Sequence, residues 1–90
     1  MKQKLGTIIG DTMKDRAYIL LDILNGKAEQ VAQSLKRNKG VVSVDVLDGP
    51  PDIIMVLEAS GRQKLAELTI QALASVESVT ENMKLLPAQK

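Results

Sequence analysis

The chain has 90 residues, enough for one domain with a modest core and a large wet surface, so self-association is a natural route to further stability. At 44% hydrophobic and 26% charged it has an ordinary globular composition, and its net charge of +1 excludes the concentrated positive field that nucleic-acid binding draws on. Cysteine is absent, which excludes a disulfide framework and thiolate metal sites, and no apolar run approaches a membrane span. The expectation is a cytoplasmic protein with neither direct DNA binding nor membrane contact.

In chain order, residues 1–16 form an N-terminal extension, with Lys4 to Ile9 readable as a short extra strand and Asp11 to Arg16 as a polar connector. Leu5-Gly6-Thr7-Ile8-Ile9-Gly10 is too short for a signal-peptide core. A domain over 17–87 follows, with 88–90 as a tail. Ala17 to Leu24 reads as a strand: Ala17, Ile19, Leu21 and Ile23 on one face, Tyr18, Leu20, Asp22 and Leu24 on the other. Both faces are mostly apolar, as in a strand covered on two sides. Asn25 is placed to cap a helix over Lys27 to Asn38, whose Ala28, Val31, Ala32 and Leu35 recur at helical spacing. Gly40 is a suitable stop.

Val41 to Leu47 is β-branched and reads as a second strand. Asp48-Gly49-Pro50-Pro51 is a turn, and Asp52 to Ala59 a third strand, antiparallel to the second. Ser60 and Gln63 have capping-box spacing, opening a second helix to about Ser75 with Leu65, Leu68, Thr69, Ala72 and Val76 on its inner face. Ser78 to Leu86 is a last strand. A shift of 35 residues lays Asn25-Gly26-Lys27 on Ser60-Gly61-Arg62, Leu35 on Ile70, and Val41-Val42-Ser43-Val44 on Val76-Glu77-Ser78-Val79.

Two such β-α-β units define an α+β, ferredoxin-like βαββαβ fold: a four-stranded antiparallel sheet with two helices on one face. The first and third strands are then central. Their second apolar face (Tyr18, Leu20, Leu24, Ile54, Val56) lies away from the helices and calls for a partner surface, most simply another copy of the chain. The alternative cover is the N-terminal extension.

Little in the sequence supports catalysis. Histidine and cysteine are both absent, which removes the usual general base and the best nucleophile–base pairs, so no enzyme and no cofactor are expected. Asp45, Asp48 and Asp52 cluster near the hairpin without EF-hand spacing, so no metal site is expected. Asp48 and Asp52 are instead read as bonding nearby backbone amides. Lys36-Arg37-Asn38-Lys39 is a solvated helix end complementing the dipole. Gly49-Pro50-Pro51-Asp52 reads equally as a stiff turn and as a site: two prolines withhold two donors, Gly49 leaves room for close approach, and Asp52 supplies a carboxylate.

These residues resemble a known family. Glu29-x-Val31-x-x-x-Leu35, Gly40-Val41-x-x-Val44, Gly49-Pro50-Pro51-Asp52-Ile53-Ile54 and Val76-Glu77-Ser78-Val79-Thr80 follow the pattern of the effector (RAM) domain of Lrp/AsnC-type transcription regulators. The resemblance covers Ala17 to Leu86. It implies face-to-face pairing of sheets into a dimeric α/β barrel, assembly of dimers into rings, and a small effector, commonly an amino acid, held between dimers near the hairpin tip. The effector site it implies comprises Gly49, Pro50, Pro51 and Asp52, with Thr80 and Asn82 on the last strand. Two departures stand out. Only sixteen residues precede the first strand, too few for a three-helix DNA reader, so the chain resembles a stand-alone effector domain, and full-length Lrp-type regulators are further candidate partners. Pro51 also stands where the family often has an aromatic residue. An amino-acid-binding ACT domain shares the fold and is the rival resemblance.

Overall fold

A computed structural model describes residues 14–87. The elements run β1 (Asp15–Ile23), α1 (Ala28–Lys36), β2 (Val41–Val46), β3 (Ile53–Ala59), α2 (Arg62–Ala74), a 3-10 turn (Glu77–Val79) and β4 (Thr80–Pro87). The sheet order is β2-β3-β1-β4, with every neighbouring pair antiparallel. This is the expected ferredoxin-like α+β arrangement, with β1 and β3 central. The reading of Lys4 to Ile9 and the tail lie outside the described residues; β1 begins at Asp15, so Asp15 and Arg16 belong to the strand rather than to a connector.

The strict alternation of burial along β1 and β3 builds the core. Ala17, Ile19, Leu21 and Ile23 from β1 and Ile53, Met55, Leu57 and Ala59 from β3 all point under the helices and are buried. Val31, Ala32 and Leu35 from α1 and Leu68 and Ala72 from α2 close over them. α1 packs chiefly on β2, and α2 on β3 and β1. β4 therefore extends beyond the helix layer: Met83 and Leu85 are 53% and 49% exposed, whereas their ladder partners Leu21 and Ile19 are fully buried.

Several local expectations change. Neither helix has a side-chain cap: the cap positions are Lys27 and Gly61. The chain enters each helix through a glycine of positive φ (Gly26 and Gly61), which leaves Asn25 and Ser60 one or two positions outside capping reach. The 35-residue repeat also breaks within α2. It maps Val31, Ala32 and Leu35 onto Ala66, Glu67 and Ile70, but the residues buried are Leu68, Thr69 and Ala72, and Ile70 is 67% exposed. α2 has 13 residues against 9 in α1, so the second unit falls out of register; Glu77–Val79 is a 3-10 turn and the last strand starts at Thr80. Gly40, at φ +87, stands under α2 where an added Cβ would meet Leu68 Cδ1, and its carbonyl accepts the Glu58 N–H.

Candidate functional site

The sheet face away from the helices is organised by the strand register, because residues opposite one another across a ladder share a face. Tyr18 faces Val56 on one side and Leu86 on the other; Leu20 faces Ile54 and Lys84. The result is an apolar stripe of half-buried Tyr18, Leu20, Ile54 and Val56, continued by Leu86 on β4. Leu24 is not part of it. The β1–β4 register shifts between Asp22 and Ile23, the strand ends at Ile23, and the Leu24 N–H beyond it donates to the Val79 carbonyl.

One end of the stripe is closed by Arg16 and Glu58, directly paired across β1 and β3. The Arg16 Nε–H donates to Glu58 Oε2 at 2.8 Å, and a second guanidinium nitrogen contacts the same oxygen. The hydrogen bond to the Tyr18 hydroxyl and then those to Glu58 raise the Arg16 pKa above its ordinary value. The other end carries Asp22 opposite Asn82, with Lys84 diagonal to Asp22.

The hairpin tip lies at this second end. Gly49 has φ +40, and the Gly49–Pro50 and Pro50–Pro51 bonds are both cis. Asp52 does not bond a nearby turn amide, as the sequence suggests. Its carboxylate accepts the Ile23 N–H at 2.8 Å, and its own N–H donates to the Leu21 carbonyl at 2.8 Å. Asp52 thus adds a rung to the β1–β3 ladder beyond Ile53, side chain standing in for backbone. Its carboxylate occupies the space above Gly49 that any Cβ there would fill.

The six residues proposed from sequence divide in three. Pro50, Pro51 and Asn82 come together around a depression of about 420 Å³ at the hairpin end of the open face. Gly49 and Asp52 do not line it; the Asp52 carboxylate and N–H are engaged by Ile23 and Leu21. Thr80 is turned elsewhere: its hydroxyl donates to the Val76 carbonyl at 2.8 Å, and it borders a second depression of about 410 Å³ between α2 and β4 with Ile70 and Leu73. Asn82 and Met83 touch both depressions. Leu20, Asp22 and Lys84, absent from the sequence-based site, line the first. Their alternation on β1 and β4 places them on the open face, but only the register brings them beside the prolines. Among the described residues no group of three or more His, Cys, Asp or Glu is placed to hold a metal, and no helix is long and apolar enough to cross a membrane.

The geometry defines an α+β domain with one sheet face uncovered by its own helices and a polar depression at the end of that face. Solved structures share this fold. PH0061 superposes with a TM-score of 0.75 at 23% identity, over 98% of this chain and 66% of its own. The hypothetical protein PHS023 from Pyrococcus horikoshii matches at 0.75 and 20% identity, over 84% of this chain and 90% of its own. The transcriptional regulator NMB0573 from Neisseria meningitidis, in complex with L-Met, matches at 0.69 and 16% identity, over 93% of this chain and 54% of its own. A member of the AsnC family is also among the chains sharing the fold. This chain spans less than two thirds of the length of PH0061 and about half that of NMB0573. No protein-family model matches the sequence, and no curated protein matches it.

Proposed function

We propose that this chain is an effector domain of the Lrp/AsnC regulatory type, which binds a small molecule of the amino-acid class and self-associates through its open sheet face. The observation that carries the reading is the stripe Tyr18, Leu20, Ile54 and Val56. Four apolar side chains in adjacent ladder positions remain half-buried on the side no helix covers. Apolar surface of this kind is stabilised by a partner, and an identical face is the partner always present. The fold shared with regulators, one in complex with L-Met, supports the effector class. The proposed site comprises Gly49, Pro50, Pro51, Asp52, Thr80 and Asn82, of which Pro50, Pro51 and Asn82 border one depression.

Native mass spectrometry with and without an amino-acid mixture tests both parts at once. The expected spectrum shows dimers or higher even multiples, with a mass increment of one amino acid per site. A monomer at tens of micromolar with no increment at millimolar ligand refutes the reading. A second reading, a ligand-free module that pairs with full-length Lrp-type regulators, is favoured by the internal engagement of Asp52 and Thr80, two groups a ligand would use. Mixed dimers in a pull-down, unaffected by amino acids, would select it.

A further inference from the structure

We infer that the depression at the hairpin end of the open face is a site for a zwitterion with an apolar tail, held by Asp22 and Lys84 with Asn82 between them. The inference rests on the effector reading above and relocates its polar contacts. Two hydrogen-bonding groups on which that reading leans are already used: the Asp52 carboxylate by the Ile23 N–H and the Thr80 hydroxyl by the Val76 carbonyl. Asp22, Asn82 and Lys84 are in the opposite condition. None of their side chains makes a hydrogen bond or ion pair with a described residue, where the one ion pair is Arg16–Glu58.

Their spacing suits one small molecule. Asn82 is directly opposite Asp22, and Lys84 is opposite Leu20, which makes Asp22 and Lys84 diagonal neighbours with Cβ atoms roughly 7 Å apart. A carboxylate and an ammonium carried from those two positions can bracket a ligand that bears both charged groups on one carbon. A ligand ammonium meets Asp22, a ligand carboxylate meets Lys84, and the Asn82 amide can donate to one or accept from the other. The remaining wall, formed by Leu20, Pro50 and Pro51, is apolar, so the tail that fits is hydrocarbon. Pro50 and Pro51 present no N–H on this wall, which leaves no donor there for a polar tail.

Isothermal titration calorimetry with L-norleucine as the probe tests this, beside two analogues each lacking one charge: pentylamine, without the carboxylate, and hexanoate, without the ammonium. On the unaltered protein L-norleucine should bind at least about tenfold more tightly than either analogue, the scale of one charge-assisted hydrogen bond. Asp22→Asn should weaken L-norleucine about tenfold and erase most of the discrimination against hexanoate. Lys84→Gln should do the same for pentylamine. Asp45→Asn, on the far edge of the same face, should leave all three affinities unchanged. The analogue series needs no variant, so a folding defect in one cannot stall the test.

Norleucine affinity unchanged in both Asp22→Asn and Lys84→Gln overturns the inference while leaving the effector reading standing. So does equal binding of hexanoate and L-norleucine by the unaltered protein. A protein that binds no member of an apolar amino-acid panel at millimolar concentration overturns the effector reading, and this inference with it.

Discussion

Replacing Asp52 by alanine separates a structural role for the hairpin carboxylate from a ligand-binding one. In the structure this side chain receives the Ile23 N–H at 2.8 Å, one rung past the last backbone pair of β1 and β3. Asp52→Ala leaves that part-buried donor without its acceptor. A hydrogen bond to a charged group contributes about 1.5–3 kcal/mol, and an orphaned donor forfeits a similar amount, so a loss of about 2 kcal/mol is expected. For a domain of this size that lowers Tm by roughly 8–16 °C. Asp52→Asn keeps an acceptor oxygen in place and should cost less than about 1 kcal/mol. Guanidinium unfolding gives the free energies. Amide hydrogen exchange at Ile23 supplies the local reading and should accelerate in the alanine variant before the rest of β1. An alanine variant within about 0.5 kcal/mol of the parent, with Ile23 exchange unchanged, would refute the ladder role and return the carboxylate to the ligand.

Gly40→Ala forces a β-carbon into a left-handed conformation against Leu68 Cδ1 and should destabilise by about 2 kcal/mol in chemical denaturation, whereas Gly26→Ala, with nothing near its absent Cβ, should cost only the backbone strain. Thr80→Val removes the bond to the Val76 carbonyl, and a loss of about 1 kcal/mol is expected in thermal melting. Ile54→Lys places a charge in the middle of the open stripe and should convert the self-associated protein to monomer in sedimentation experiments while far-UV circular dichroism stays that of the folded chain.

Much of the fold is legible in the residues, for a definite reason. β1 and β3 alternate so regularly that their inner faces could be written down from period alone, and the buried sets Ala17, Ile19, Leu21, Ile23 and Ile53, Met55, Leu57, Ala59 follow it. The helix starts were less accessible. Asn25 and Ser60 are good caps by type, but the positive-φ glycines after them decide where the helix begins, and backbone conformation leaves no mark in a hydrophobicity pattern. The 35-residue shift lays Leu35 on Ile70, which is exposed, whereas the helical spacing of α2 itself marks the buried face at Leu68, Thr69 and Ala72. At the hairpin, composition marked Gly49-Pro50-Pro51-Asp52 as unusual. It could not distinguish an Asp that meets solvent from one that completes a ladder with a strand 29 residues away. The proximity of Asp22 to Lys84 is not legible in the residues for the same reason: it is a matter of register, which only the folded sheet defines.

Leu20 belongs to both features of the open face, which gives the two proposals a shared consequence. It sits in the stripe opposite Ile54, and it lines the depression beside Asp22 and Lys84. A second copy seated on the stripe therefore forms one border of the ligand's surroundings. A ligand that binds only the assembled form stabilises that form by RT ln(1 + [L]/Kd), about 2.7 kcal/mol per site at a hundredfold excess over Kd. Sedimentation equilibrium of the parent protein at rising L-norleucine should then show the dimer dissociation constant falling by about a hundredfold for each site filled. A ligand with equal affinity for monomer and dimer shifts nothing, however tightly it binds. A dissociation constant that stays flat while calorimetry reports binding would therefore separate the depression from the interface and leave them as two independent properties of one sheet face.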